Sequence, residues 1–432
     1  MARLKSPWRQ TCAALALAGC LPFAQPAGAQ PQPRVLELAQ QQKQPLMDTL
    51  KSLVEIESGS RDTAGLARLA DLIAGRLRAL GAQVDLVDVN EGAYRMEDTP
   101  PKIGQAVRAT FRGTGQKKVL MIAHMDTVYQ TGQLAKQPFR VDGDRAYGLA
   151  IADDKQGIAV ILHTLAMLKA LNFKDFETLT VLINGDEEIS SPGSRALLTR
   201  LGAEHDLTMS FEATRTEDDK LALATAGIAS INLKVTGKAS HAGNAPERGV
   251  NALYELAHQV LQARDLSDKD KGVKVNWTIA KAGSVRNMIP ADAEASADVR
   301  VLRVADYDGV ERAVRERVQK KLLPDTKVEM TFERRRPPLE APPASQAVGR
   351  HAQAIYTELR RKLNVDATAE GGGTDAAFAA LQTKNAVIER FGLQGFGAHS
   401  ANDEYVLLDS IQPRLYLATR LIMDFTQGKV KP

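Results

Sequence analysis

The chain of 432 residues is longer than one hydrophobic core ordinarily serves, so its length favours two domains, and its 44% apolar content is that of an ordinary globular protein. The formal charge of +4 looks basic, but Arg3, Lys5 and Arg9 lie in an acid-free leader, and the remainder carries about +1. A charge that small gives no electrostatic support to a nucleic-acid or acidic-membrane role.

Residues 1–29 have a basic start, an apolar stretch from Ala13 through Leu17 to Phe23, and the small-residue end "AGA" before Gln30, the grammar of a secretory signal peptide. "LAGC" at 17–20 also resembles a lipoprotein cleavage box with Cys20 as the lipidated residue, so two mature ends stay open. Either one predicts a periplasmic or secreted protein. Both cysteines, Cys12 and Cys20, lie in this leader, so cleavage after Ala29 leaves no internal disulfide. No other stretch approaches the roughly 18 apolar residues of a membrane span, and membrane attachment is expected only through Cys20.

Leu66, Leu69, Ile73, Leu77 and Leu80 recur at helical spacing, Gly81 supplies a stop, and "AQVDLVDV" follows as a strand. Apolar strands then recur at 119–123, 179–183 and 207–211, with helical periodicity in "QGIAVILHTLAMLKAL" between the first two. Such alternation predicts an α/β domain with a mostly parallel sheet.

Near residue 225 the pattern changes. "GIASINLKVTGKAS" alternates, "GVNALYELAHQVLQA" is amphipathic, and "VNWTIAKAGS", "AEASADVRVLR" and "KVEMTFERR" add three strands around a helix at 306–322. This predicts a ferredoxin-like α+β unit, mostly antiparallel with helices on one face, inserted at 226–339 into a discontinuous domain of 30–225 and 340–432. The prolines of "RRRPPLEAPP" mark the exit.

Polar groups recur where the apolar strands stop: His124 and Asp126, then Asp186, Glu187 and Glu188, then Glu212. Ligands of open α/β sheets gather outside the carboxyl ends of the strands. Asp153 and Asp154 in "YGLAIADDKQG" and His399 in "FGAHSANDE" add to the set. Carboxylates crowded together repel unless protonated or neutralised, and mixed His/carboxylate ligation suits divalent cations. Two such ions polarise a carbonyl and make hydroxide at neutral pH. Neighbours in a doublet such as Glu187-Glu188 divide the work, one on metal and one as general base.

In this order "HMDTVY", "YGLAIADDKQG", "NGDEE", "SFEAT", "TGKASHAGNAPERGVNAL", "NMIPADA", "GGGTDAA" and "GFGAHSANDEY" resemble the dizinc family of carboxypeptidase G, acetylornithine deacetylase and aminoacylase, over residues 45–425. The resemblance implies a catalytic domain with a dimerisation and lid domain inserted, a homodimer, two zinc ions per subunit, and hydrolysis of the amide to a C-terminal glutamate of an N-acyl, peptidyl or folate-like substrate. It makes Asp153 the carboxylate between both zincs, with His124 and Glu212 on one, Glu188 and His399 on the other, Glu187 as base, and Asp126 behind His124. It further implies that His241 reaches the neighbouring subunit's site to stabilise the oxyanion, with Asn287 as a partner in that task or in holding substrate. Arg300, Arg336, Lys220 and the "GGGT" residues Gly373 and Thr374 match positions that read substrate carboxylates. Leu149-Ala150, Gln156 and Ser191-Pro192 depart from the family pattern and put the pocket's shape in question.

Elsewhere the ordinary reading of each group prevails. His163 and His258 lie on apolar helical faces and are expected in a core or interface, and His205 and His351 are expected at the surface. The competing functions are the same machinery turned on another N-acyl amino acid or dipeptide, and a metal-binding scaffold that has lost catalysis.

Overall fold

The computed structural model describes residues 30–369, 371–400 and 403–431, so the leader and the choice between Ala29 and Cys20 lie outside the described residues. The larger sheet has six strands in the order Gln83–Val87, Ala106–Arg112, Thr178–Asn184, Lys118–His124, Leu207–Ser210, Ala386–Ile388. Its last three pairings are parallel and its first two antiparallel. The sheet is therefore mixed: a loop rather than a crossover helix joins its first two strands, which permits antiparallel pairing.

The run "VLMIA" is buried because Lys118–His124 has a parallel neighbour on each side and helices cover the sheet. Helix Gln156–Ala170 is itself sandwiched, which explains why apolar residues surround it on nearly all sides. Helix Thr63–Leu80 begins where the Asp62 carboxylate accepts from Gly65 N at 2.9 Å, and it ends at Gly81, whose φ of 108° places it in the left-handed region. Helices Pro33–Gln41 and Lys43–Val54, which the periodicity reading did not single out, complete this layer.

A second sheet orders its strands Lys274–Ala282, Asp292–Val301, Gly227–Thr236, Lys327–Arg336, all antiparallel. Ala229, Ile231, Leu233 and Val235 alternate inward and share a core with Tyr307, Val310 and Val314 of helix Asp306–Val318, which stops four residues before the sequence-based limit of 322. Strands Ala224–Thr225 and Leu339–Glu340, which lead into and out of this unit, pair with each other. The "PP" segment is thus tied down at its far end, and Arg336, the last residue of its strand, points from the smaller unit into the site of the larger.

Two histidine expectations need correction. His205 is buried: helix Arg195–Glu204 ends over the sheet, so the ring lies 2.7 Å from Leu201 O and 2.8 Å from Thr180 Oγ1. His351 is half-buried, 3.0 Å from Asp424 Oδ2. His163 lies in the core as expected.

Candidate metal centre and active site

Five segments converge at the carboxyl edge of the larger sheet. Lys118–His124 ends on its histidine, and a 3-10 turn, Glu187–Ile189, follows Thr178–Asn184. Glu212 lies just past Leu207–Ser210, Asp153 sits in the turn Ile151–Lys155 that opens a helix, and His399 occupies a loop after Gln394–Phe396. Asp153 stands in the middle: its Oδ1 lies 2.9 Å from His124 Nε2 and its Oδ2 3.1 Å from His399 Nε2. Glu212 Oε1 is 3.5 Å from His124 Nε2, and Glu188 Oε2 is 3.2 Å from His399 Nε2.

Two triplets, His124/Asp154/Glu212 and Asp153/Glu188/His399, each have ligand atoms within 4.8 Å of one another. The first contains Asp154 where the resemblance placed Asp153, although Asp153 Oδ1 is the oxygen beside the imidazole. One Asp154 oxygen accepts from Gln156 Nε2 at 2.7 Å, and the other is buried without a hydrogen-bond partner among the described residues, as is Glu188 Oε1. Buried carboxylate oxygens left without donors are the sign of a site built for cations.

The electrostatics agree. Burial alone would lower the His124 imidazole, but the carboxylates of Asp126, Asp153 and Glu212 override it and hold the ring well above its usual range. Hydrogen bonds to Asp153 and Glu188 push His399 up to about 11. Burial, reinforced by the charge of Asp153, lifts Glu188 to about 7, and burial raises Glu187 and Asp154 as well. Protons crowd onto this cluster because its negative charge exceeds the positive charge the chain supplies. Divalent ions answer that excess, and the set of two imidazoles and several carboxylates fits two of them.

Asp126 does more than back His124. Its carbonyl is 3.1 Å from His124 Nδ1, while its carboxylate accepts from the backbone N–H groups of Glu187 and Glu188 at 2.9 and 3.1 Å and from Ser60 Oγ at 2.8 Å. One buried side chain therefore fixes both the histidine and the glutamate doublet. Glu187 Oε1 lies 2.6 Å from Arg336, whose guanidinium also reaches Asp375 at 3.0 Å. A Cβ on Gly373 would meet Arg336 Cδ at 2.6 Å, so glycine lets the chain pass this close to the guanidinium.

A cavity of about 510 Å³ opens onto the cluster and includes Arg300, Arg336, Gly373 and Thr374 in its wall. Arg300 is held by Asp298 and donates to Gly371 O at 2.9 Å. Among the residues expected to contact substrate, three do not reach the wall. Lys220 is buried with its ammonium 3.5 Å from Asp366, and His241 and Asn287 lie on an exposed two-stranded ribbon of the smaller unit, joined through Ala242 N to Asn287 O at 2.9 Å. Arg215 and Arg390, which the sequence reading passed over, do line the cavity.

Glu404 was also missed. Its Oε1 accepts from the backbone N–H groups of Ala152 and Asp153 at 2.8 and 3.1 Å, and its Oε2 from the Tyr129 hydroxyl at 2.6 Å. The glutamate five residues after His399 in "HSANDE" was its one available signal.

Comparison with known proteins agrees with this geometry. The profile of peptidase family M20/M25/M40 matches residues 120–424. Carboxypeptidase G2 of Pseudomonas sp. (strain RS-16) is 46% identical over 402 residues, covering 93% of this chain and 94% of that protein. Among solved structures, a tripeptidase from Staphylococcus aureus superposes with a TM-score of 0.73 at 20% identity, over 89% of this chain and 99% of that one. A dinuclear metal-binding peptidase of the M20 family from Bacillus subtilis does so with a TM-score of 0.64 at 14% identity, over 90% and 99% of the two chains. At those identities the structures speak for the fold alone, while the sequence matches reach further: this chain belongs to peptidase family M20/M25/M40.

Proposed function

We propose that this protein is an exported, zinc-dependent carboxypeptidase that hydrolyses the amide bond to a C-terminal glutamate of N-acyl, peptidyl or folate-like substrates. Membership of the family makes it a metallopeptidase, and its 46% identical relative is named a carboxypeptidase. The observation that carries the reading is Asp153, whose two oxygens face two histidines at 2.9 and 3.1 Å. In this reading His124 and Glu212 complete one site, Glu188 and His399 the other, and Asp154 supports the first from behind.

When bound, the paired divalent ions act as Lewis acids on the scissile carbonyl and lower the pKa of water. The remaining work falls to the chain. Glu187 takes a proton from the attacking water at its carboxylate and returns it to the leaving nitrogen, a role suited to a carboxyl raised by burial. Arg336, paired with Asp375, keeps that carboxylate oriented and offers a buried cation to the substrate carboxylate, with Arg300 on the same wall. His241 and Asn287 stand outside the cavity of their own subunit, which favours a homodimer in which they serve the neighbouring site. The leader "AGA" at 27–29 supports export.

A second reading, an amidohydrolase for a different N-acyl amino acid, is favoured by Lys220 lying off the cavity wall, since that removes one expected reader of the glutamate side chain. The test is a panel of matched benzoyl and folate-type amides ending in glutamate, aspartate, leucine or lysine, given to zinc-loaded protein with chelator controls. The carboxypeptidase reading expects chelator-sensitive turnover with glutamate at least tenfold preferred. Preference for another residue selects the second reading, and absence of both turnover and bound metal returns a scaffold.

A further inference from the structure

We propose that Arg195, which does not border the cavity, is a positioning residue for the reaction: it grips a β-bulge at Arg335 and so sets Arg336 against the turn that carries Glu187. The inference rests on the reading above that Arg336 meets the substrate carboxylate, and extends it to the group that holds Arg336 in place.

Arg336 reaches the site because its strand carries one extra residue. Where Gly227–Thr236 pairs with Lys327–Arg336, Ala229 stands opposite Arg334 and Ile228 opposite Arg336, which leaves Arg335 unpaired between them. Ile228 and Arg336 both border the cavity. Side chains alternate along a strand, so without the extra residue Arg335 would stand opposite Ile228, and Arg336 would turn to the other face, where Ala229 packs with helix Asp306–Val318. A bulge leaves the ladder locally broken, and its backbone needs other partners.

Arg195 supplies them from the larger unit. Its guanidinium donates to Arg335 O at 2.8 Å and to Arg334 O at 3.3 Å, and the nitrogen that reaches Arg335 also donates to Ser190 O at 2.6 Å. Ser190 directly follows the turn Glu187–Ile189, so one side chain joins the strand bearing Arg336 to the turn bearing Glu187, whose carboxylate lies 2.6 Å from that arginine. The Arg195 guanidinium carbon stands 4.3 Å from the Tyr94 ring centroid and 4.9 Å from that of Phe378, over which Arg336 also lies at 5.8 Å. Asp98 holds the bulge from a second side, where both its oxygens accept from Arg335 Nη2, at 2.8 and 2.6 Å. A lysine at position 195 keeps the charge but not the planar fork that spans these carbonyls.

The test is a double-mutant cycle of Arg195→Lys and Arg336→Gln in zinc-loaded protein hydrolysing N-benzoyl-glutamate. A residue that acts through Arg336 loses its effect once that guanidinium is gone, whereas a residue that only supports the fold does not. The expected result is that Arg195→Lys, with its metal content retained, lowers kcat/KM at least tenfold in the unaltered background, mainly through KM, and less than twofold in the Arg336→Gln background. Should Arg195→Lys fail to fold, Asp98→Asn loosens the bulge from a half-exposed position and is expected to lower kcat/KM at least threefold, with the same loss of effect beside Arg336→Gln. A folded variant with unchanged kcat/KM, or with equal losses in both backgrounds, overturns the inference and leaves the reading of Arg336 standing. If Arg336→Gln turns over substrate as the unaltered protein does, or the unaltered protein does not hydrolyse the amide, the proposed function falls first and the inference with it.

Discussion

Replacing Glu404 should separate what holds the metal centre from what forms it. The side chain is 1% exposed and joins three segments: the Ala152-Asp153 backbone, the loop bearing Tyr129 just past His124, and through Tyr129 the carbonyl of Ser400 beside His399. Hydrogen bonds to a charged group contribute about 1.5–3 kcal/mol each when broken singly, and bonds within one network do not add, so Glu404→Ala should cost on the order of 3–5 kcal/mol. Glu404→Gln keeps an oxygen for the two N–H groups and offers an amide to the tyrosine oxygen, so it should cost about 1 kcal/mol. Outer groups of this kind typically change metal affinity by about 10–100-fold. Urea unfolding gives the first quantity, and competition against a chromophoric chelator gives the second. Glu404→Ala should weaken metal binding by at least tenfold and Glu404→Gln by less than threefold. A destabilised alanine variant with unchanged affinity would show that Glu404 serves the fold and not the centre.

Two further outcomes are expected. Burial, aided by the charge of Arg76, holds the His163 imidazole at about 4, against 6.5 unburied. The unfolded chain then takes up the proton first, so this contribution is complete above pH 6.5 and is lost as pH falls toward 4, to a total of roughly 3 kcal/mol. His163→Gln should flatten the fall in unfolding free energy between pH 7 and 4.5, and a slope equal to the unaltered protein's would refute the assignment. His241→Ala mixed with Glu187→Ala should regain part of the lost activity if each subunit lends its histidine to the other, and no recovery after subunit exchange refutes the shared site.

The residues that gather at the cluster were legible because each sits where a strand or helix pattern breaks. "VLMIA" ending on His124 and "LTVLIN" ending before Asp186 are local signals, readable within ten residues. The groups that hold those residues carry no such signal. Glu404 reaches Ala152 across 252 positions and Asp375 reaches Asn184 across 191, so their partners exist only once the sheet has formed. Lys220 shows the opposite failure: it was placed by resemblance alone, and the structure sets it against Asp366, off the cavity wall.

The departures from the family pattern show where that limit falls. Leu149-Ala150, Gln156 and Ser191-Pro192 put the pocket's shape in question, yet none of them lines the cavity. Leu149 and Ala150 are buried, and Ser191 Oγ donates to Asp375, the partner of Arg336. Gln156 stands where relatives favour glycine, and its amide donates to Asp154 Oδ1 at 2.7 Å and to Phe211 O at 2.9 Å while accepting from Leu393 N. Phe211 immediately precedes Glu212, so one neutral side chain ties a carboxylate of the first triplet to the backbone that presents another. A neutral donor suits that position, because a charged acceptor there would face the already raised Asp154 carboxyl. The sequence changes thus fall behind the clustered side chains rather than among them, so the residues placed in the proposed centre are themselves unchanged.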